Sequence, residues 1–190
     1  MKFLRLLLAL ALLFPATGVR LFAAGEGDGL SLDDLGFKAD QLKSDPAAQA
    51  TLHKRSKMLK THQILGLVTA VPMLASVMTA SGAAEGTDSK RDLHKNLGIT
   101  TGVLYFTTAS FSLLAPEGEA KKSAGATKIH KGLAWIHFPA MVIAPILGYQ
   151  AYQQRDKGED VHGAAKHHAT VAGVGAAAYF LSMAVMVFNF

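Results

Sequence analysis

Four histidines occupy the same place in a motif that the chain repeats four times. The motif is a histidine, two variable residues, an aliphatic residue and then glycine or alanine, and its copies are His62–Gly66, His94–Gly98, His130–Ala134 and His168–Ala172. The first two copies continue alike, as His-x-x-Leu-Gly-[Leu/Ile]-x-Thr-[Ala/Gly]-Val. One residue type at one position of a repeat indicates a shared task. Because imidazole is a common ligand of transition metals and haem iron, the repeat predicts a metal or haem centre.

The rest of the composition narrows the choice of metal. The sequence has no cysteine, which excludes disulfides, iron–sulfur clusters, thiolate zinc sites and haem attached through a C-x-x-C-H motif. Copper and zinc sites favour ligands that converge on one point, often with acidic residues or thiolates. An ionisable residue in a membrane segment is costly to bury and is usually functional. These observations favour haem ligation.

Apolar segments, each free of Asp, Glu, Lys and Arg, begin at or just after the repeated histidines. Segments of about 17–25 apolar residues are typical of membrane-spanning helices. The loops between them are short, which predicts antiparallel neighbours. The expected fold class is therefore an all-α membrane protein, a four-transmembrane-helix up-down bundle, in which Pro72, Pro139 and Pro145 bend helices rather than end them. The segments are Ile64–Ala80, Leu97–Ala115, Gly132–Ala151 and Ala169–Phe190.

An up-down bundle places the four histidines in two pairs. Its first and third helices start on one side of the membrane, so His62 and His130 are expected at one level. Its second and fourth helices start on the other side, so His94 and His168 are expected at the opposite level. Two imidazoles that face each other across a bundle core are what a six-coordinate haem iron requires. The sequence thus predicts two haem sites, one near each face of the membrane.

Small residues follow the histidines by one helical turn. Gly66 and Gly98 lie four positions after their histidines, on the same helix face. A missing side chain there would leave room for a flat macrocycle between the helices, so we include both glycines among the expected cofactor-binding residues.

A further histidine offers an alternative ligand in the third segment. His137 follows His130 by two turns on the same face, about 10 Å deeper at 1.5 Å per residue. It either replaces His130 as ligand or forms a hydrogen bond within the bundle, and the fourfold register favours His130. We interpret His167 as a loop-end residue, and His53 and His162 as surface residues.

The N-terminal part of the chain resembles an export signal followed by a polar segment. In residues 1–25 a positive start and a short apolar run precede Pro15 and a group of small residues, which predicts a signal peptide. A retained signal anchor is the alternative. Residues 26–60 form a polar N-terminal segment, either a linker or a short surface helix, and residues 61–190 form the haem-binding domain. Lys and Arg outnumber Asp and Glu by 19 to 14 but are scattered, which does not indicate nucleic-acid binding.

The alternating arrangement of histidines resembles the core of the cytochrome b561 family. The resemblance covers about residues 50–190 and carries the family's haem-ligand positions over to the four repeated histidines (His62, His94, His130 and His168). It implies two haems b and electron transfer across a membrane, from ascorbate in eukaryotic members. This chain has only the four core helices and a signal, so quinol or a small redox protein is an equally suitable donor.

The expected function is therefore transmembrane electron transfer by an integral, multi-pass protein of a bacterial inner membrane or an equivalent membrane. Two alternatives stay open, which are a haem-bearing anchor subunit of a larger oxidoreductase and a non-redox protein that handles metal or protons. The expected partners are lipid, an electron donor and an acceptor, with a homodimer or a larger redox complex compatible with the sequence. Basic residues near the first histidine pair would meet lipid headgroups, haem propionates or an anionic donor: Lys54, Arg55, Lys57, Lys60, Lys121, Lys122, Lys128 and Lys131.

Overall fold

The computed structural model describes residues 45–117 and 125–188. Throughout these two ranges the regular structure is helical and contains no strand, which confirms the predicted all-α class for this part of the chain. The elements, in chain order, are α1 (Pro46–Glu85), α2 (Asp88–Leu113), α3 (Gly125–Asp156), a short 3₁₀ helix (Gly163–His167) and α4 (His168–Phe188).

Three helical segments are long and apolar enough to cross a membrane. They are α1, α3 and the 3₁₀ helix together with α4. Helix α2 is 26 residues long but less apolar, because it is rich in threonine and serine. The hydroxyls of Thr101 and Thr107 each donate to the main-chain carbonyl four residues earlier, so their polarity is satisfied within the helix. The crossing by α2 stays a prediction.

Helix α1 begins well before its apolar part. The Asp45 carboxylate caps its first turn by accepting from the main-chain N–H of Ala47, at 2.8 Å, and of Ala48. From Pro46 the helix runs without a break into the apolar segment, so residues 46–60 are helical and residue 60 marks no structural boundary. The Arg55 guanidinium donates to the carbonyl of Pro116, which ties this extension to the end of α2. The predicted signal peptide lies outside the described residues.

The helices pack as two antiparallel hairpins, α1 with α2 and α3 with α4. Contacts within each hairpin are far more extensive than those that join the hairpins, which run from α2 to α3 and from α4 to α1. The predicted prolines lie inside continuous helices, Pro72 in α1 and both Pro139 and Pro145 in α3. The interface between the hairpins is therefore thin compared with the packing inside each hairpin.

The bundle buries several polar side chains and leaves many large apolar ones exposed. Met73, Tyr105, Ala176 and Tyr179 form its central cluster. Helices α3 and α4 approach closely there, because a Cβ added to Gly175 would lie 2.8 Å from the Cβ of Ala140. The described buried polar residues are Thr69, Thr101, Thr108, His137 and Ser182. Many large apolar residues face outward, among them Val71, Val103, Trp135 and Ile146.

The two hairpins are structural counterparts of each other. The sequence separation between matching residues is constant along α1 and α3, and it is also constant along α2 and α4. The matching residues make matching contacts. The His62 ring bonds to Thr108 and the His130 ring bonds to Ser182, while the His94 ring bonds to Ser76 and the His168 ring to Ala144. The repeat unit is therefore the helical hairpin, and the two copies are related by an approximate twofold axis along the bundle.

Candidate functional site

The structure brings the repeated histidines together in two pairs. The ring centroids of His62 and His130 are 6.0 Å apart with an interplanar angle of 87°. Those of His94 and His168 are also 6.0 Å apart, at 82°. Each pair combines one residue from each hairpin. Along α1 the level of His62 lies about 21 Å from that of Ser76, the residue that bonds to His94, at 1.5 Å of rise per residue.

Each paired ring is anchored through its Nδ1 atom. The Nδ1 of His62 lies 2.9 Å from the carbonyl oxygen of Thr108, that of His94 lies 3.0 Å from Ser76, and that of His168 lies 2.9 Å from Ala144. A carbonyl only accepts, so in these three rings Nδ1 carries the proton and donates. The Nε2 of each neutral ring therefore keeps its lone pair, and among the described residues no hydrogen bond engages it.

The fourth ring is anchored differently. The Nδ1 of His130 lies 2.6 Å from the hydroxyl oxygen of Ser182 and 3.5 Å from the carbonyl oxygen of the same residue. With Nδ1 donating to this hydroxyl, Nε2 of His130 is also left with its lone pair. All four rings are then in the tautomer that a metal ligand needs, each oriented by a partner on the other helix of its hairpin.

The separation within each pair fits two axial ligands of one iron. With metal–nitrogen bonds of about 2 Å, two imidazoles bound on opposite sides of a metal have ring centroids about 6 Å apart. Both pairs have this spacing. In the described ranges no group of three or more His, Asp or Glu side chains is arranged to hold a metal ion. Within the described residues each pair therefore supplies two nitrogen ligands, fewer than the three or four protein ligands of a typical zinc site.

The predicted glycines differ in their surroundings. A Cβ added to Gly98 would meet nothing within 4 Å, and the same holds for Gly102 one turn further along α2, although both positions are half-buried. A Cβ added to Gly66 would make ordinary contacts at 3.9 Å with Thr108 and Tyr179. A side chain at Gly98 or Gly102 would thus meet open space, whereas one at Gly66 would contact two neighbouring side chains.

A glycine that sequence reasoning missed makes room for His168. A Cβ added to Gly148 would lie 2.7 Å from Cε1 of the His168 ring, closer than Cβ contacts in proteins normally are. Since the ring is held by the carbonyl of Ala144 on the same helix, it has little freedom to move aside. Gly148 lies next to no repeated motif, so only the packing of α4 against α3 reveals its role.

His137 lies in a different environment from the paired histidines. It is buried in the bundle centre, its Nδ1 is 2.6 Å from the hydroxyl oxygen of Tyr105, and its ring packs at 5.7 Å from that of Tyr179. When the Tyr105 hydroxyl donates to Nδ1, the ring proton lies on Nε2 and neither nitrogen has a free lone pair. The structure thus places His130 beside His62 and places His137 in the core.

The remaining predicted surface histidines are exposed. These are His53, His162 and His167. Of the basic residues near the first pair, Lys54, Lys57 and Lys60 project from the extension of α1, and Lys128 and Lys131 are exposed at the start of α3. Lys121 and Lys122 lie outside the described residues.

The second pair has a polar cluster at its end of the bundle. Asp92, two residues before His94, accepts from Lys95 at 2.7 Å and from the Tyr152 hydroxyl at 2.9 Å. The Lys95 ammonium also lies 4.0 Å from the centre of the Tyr152 ring. The hydrogen bond from Lys95 holds the pKa of Asp92 below its usual range, with a contribution from Tyr152. The cluster fixes the start of α2 to the end of α3.

Sequence reasoning also missed the residues that orient the rings. Ser76, Thr108 and Ala144 act through main-chain carbonyls, and a carbonyl leaves no trace in the residue type. Ser182 acts through its side chain, and a serine in an otherwise apolar segment was a signal that could have found it. Comparisons with protein families, curated proteins and solved structures find no match to this chain.

Proposed function

We propose that this chain is a membrane-embedded dihaem cytochrome that passes electrons between the two faces of a membrane. The observation that carries the proposal is the presence of two equivalent histidine pairs, each with a centroid separation of 6.0 Å, at opposite ends of one bundle. His62 and His130 would hold one haem b, and His94 and His168 the other. When bound, the two haems supply reversible one-electron chemistry near each end of the bundle.

The residues of the chain prepare the two centres. The hydrogen bonds at Nδ1 fix the tautomer and the orientation of each ring, which a buried ligand requires before a metal arrives. Each pair takes one histidine from each hairpin, so occupation would join the hairpins across their thin interface. The open space at the half-buried Gly98 and Gly102 is compatible with a planar group beside His94.

The distribution of side chains supports a location in a membrane. Large apolar residues such as Val71 and Trp135 are 71% and 84% exposed, while threonine, serine and histidine side chains are among the buried residues. In water such an arrangement would leave apolar surface unburied, whereas in lipid it satisfies the polar groups internally. We therefore propose that α2 crosses the membrane with the other three helices, as a multi-pass protein of a bacterial inner membrane or an equivalent one. Quinol, ascorbate and a small redox protein are the candidate donors.

The proposal is tested by an absorption spectrum of the full chain purified in detergent, reduced minus oxidised, with haem counted per polypeptide. We expect two b-type haems per chain. His62→Ala and His130→Ala should each remove one haem, and His94→Ala and His168→Ala should remove the other, because an iron with a single axial imidazole is weakly held.

The matched control is His137→Ala, which alters a histidine of the same helix. We expect this variant to retain both haems, because the His137 ring is engaged with Tyr105 rather than with His62. A wild-type chain that stays colourless after expression with added haem would contradict the cytochrome function. It would favour a protein that handles another metal or protons.

A further inference from the structure

One position breaks the equivalence of the two hairpins at the first histidine pair. His62 donates to the main-chain carbonyl of Thr108 at 2.9 Å. At the matching place in the second hairpin, His130 lies 2.6 Å from the hydroxyl oxygen of Ser182, and the carbonyl of Ser182 is 3.5 Å away. The two ligands of one centre therefore have hydrogen-bond partners of different kinds, and the Ser182 hydroxyl acts as the acceptor when the Nδ1 of His130 carries the proton.

The neighbouring side chains explain this difference. The Thr108 hydroxyl donates to the carbonyl of Leu104 at 2.7 Å and lies 3.2 Å from the hydroxyl of Thr69, so it is directed away from His62. The position in α3 that matches Thr69 is His137, whose Nδ1 is held by Tyr105. The Ser182 hydroxyl therefore meets no counterpart of Thr69 on α3, and it is directed to His130 instead. Ser182 is 1% exposed, so its bond is shielded from water.

The kind of acceptor at Nδ1 affects how strongly an imidazole donates electrons to a metal. A main-chain carbonyl polarises the N–H bond more than a hydroxyl does, which makes the ring a more basic ligand and favours the oxidised metal. We propose that Ser182 is a positioning residue that raises the reduction potential of the centre formed by His62 and His130. This inference rests on the proposed function, and its test is a potential rather than an activity.

The experiment is a redox titration of the full chain in the His94→Ala background, which is expected to keep only the first centre. Adding Ser182→Ala removes the hydroxyl and lets His130 move toward the carbonyl of residue 182, as His62 already does at residue 108. We expect the midpoint potential to fall. The matched control Thr108→Ala alters the equivalent residue of the first hairpin but leaves the carbonyl acceptor, so its potential should stay at the background value.

Two outcomes would overturn the assignment. One is a potential that stays constant or rises in Ser182→Ala, and the other is an equal fall in Thr108→Ala. If Ser182→Ala does not retain haem, Ser182→Cys decides the matter, because sulfur is a weaker acceptor than a hydroxyl oxygen: a higher potential supports the proposal, and an unchanged or lower one contradicts it. A wild-type chain without haem would refute the proposed function itself, which is a separate result.

Discussion

The hairpin α1–α2 and the hairpin α3–α4 have the same framework and differ in a few side chains. Both place one histidine at each end, and both anchor the Nδ1 of that histidine on the other helix of the hairpin. Both also direct a tyrosine into the central cluster. Tyr105 bonds to the His137 ring, whereas Tyr179 donates to the carbonyl of Gly66.

The differences lie around the histidines rather than in the pairing. The first hairpin has Thr69 and Ala80 where the second has His137 and Gly148. Despite these differences, the ring centroids are 6.0 Å apart in both pairs. The comparison teaches that the framework sets the geometry of the centres, while the surrounding side chains adjust each centre separately.

The largest effect is expected from Gly148→Ala, which would give the second hairpin the residue that the first has at Ala80. The new Cβ would lie within 3 Å of the His168 ring and displace it from its partner. We expect the haem content to fall toward one per chain, with the centre of His94 and His168 lost. Haem quantification and the reduced spectrum measure this change.

The control for this variant is Gly173→Ala, at an exposed position of α4 where an added Cβ meets nothing within 4 Å. It should keep both haems. Full haem content in Gly148→Ala would show that the second pair tolerates the displacement and that the hairpins are more alike than the structure indicates.

A smaller effect is expected from removing the hydroxyls of the two central tyrosines. Tyr105→Phe leaves the Nδ1 of a buried histidine without its partner and should lower the free energy of unfolding by about 1–3 kcal/mol. Tyr179→Phe removes the donor to the main-chain carbonyl of Gly66, which already belongs to a helix. This variant should lower the free energy of unfolding by about 1 kcal/mol. Unfolding of both variants in the same detergent measures the difference. A larger loss of stability in Tyr179→Phe than in Tyr105→Phe would contradict this prediction.

The smallest effect is expected from Asp92→Asn, which loosens the cluster that joins the start of α2 to Tyr152 of the second hairpin. Because the hydrogen bond from Lys95 holds the folded pKa of Asp92 below its ordinary value, its contribution to stability is present above that ordinary value and is lost as the pH falls through the folded pKa. The variant should therefore melt at a slightly lower temperature than the wild type near neutral pH. The difference should vanish once the pH lies below the folded pKa of Asp92, and a difference that persists in strong acid would assign the effect to something other than the charge.

The sequence was a good guide where a property repeats along the chain. The all-α class and the continuity of helices through Pro72, Pro139 and Pro145 followed from hydropathy and from the rules for prolines in apolar helices. The juxtaposition of His62 with His130 followed from up-down topology, since helices that start on the same side present equivalent positions at the same level. The start of α1 at Pro46 did not follow, because a polar helix that extends beyond an apolar segment has the composition of a linker.

What the sequence by itself determined is the set of four histidines, their spacing and the apolar segments that carry them. Only the tertiary structure decided that the repeat unit is a hairpin, that His137 lies in the core beside Tyr105, and that Ser182 and Gly148 serve the histidines. The physical reason is that ring orientation depends on carbonyls, hydroxyls and free space supplied by another helix. Such acceptors and spaces arise from the packing of distant segments, and the residue types around a histidine do not specify them.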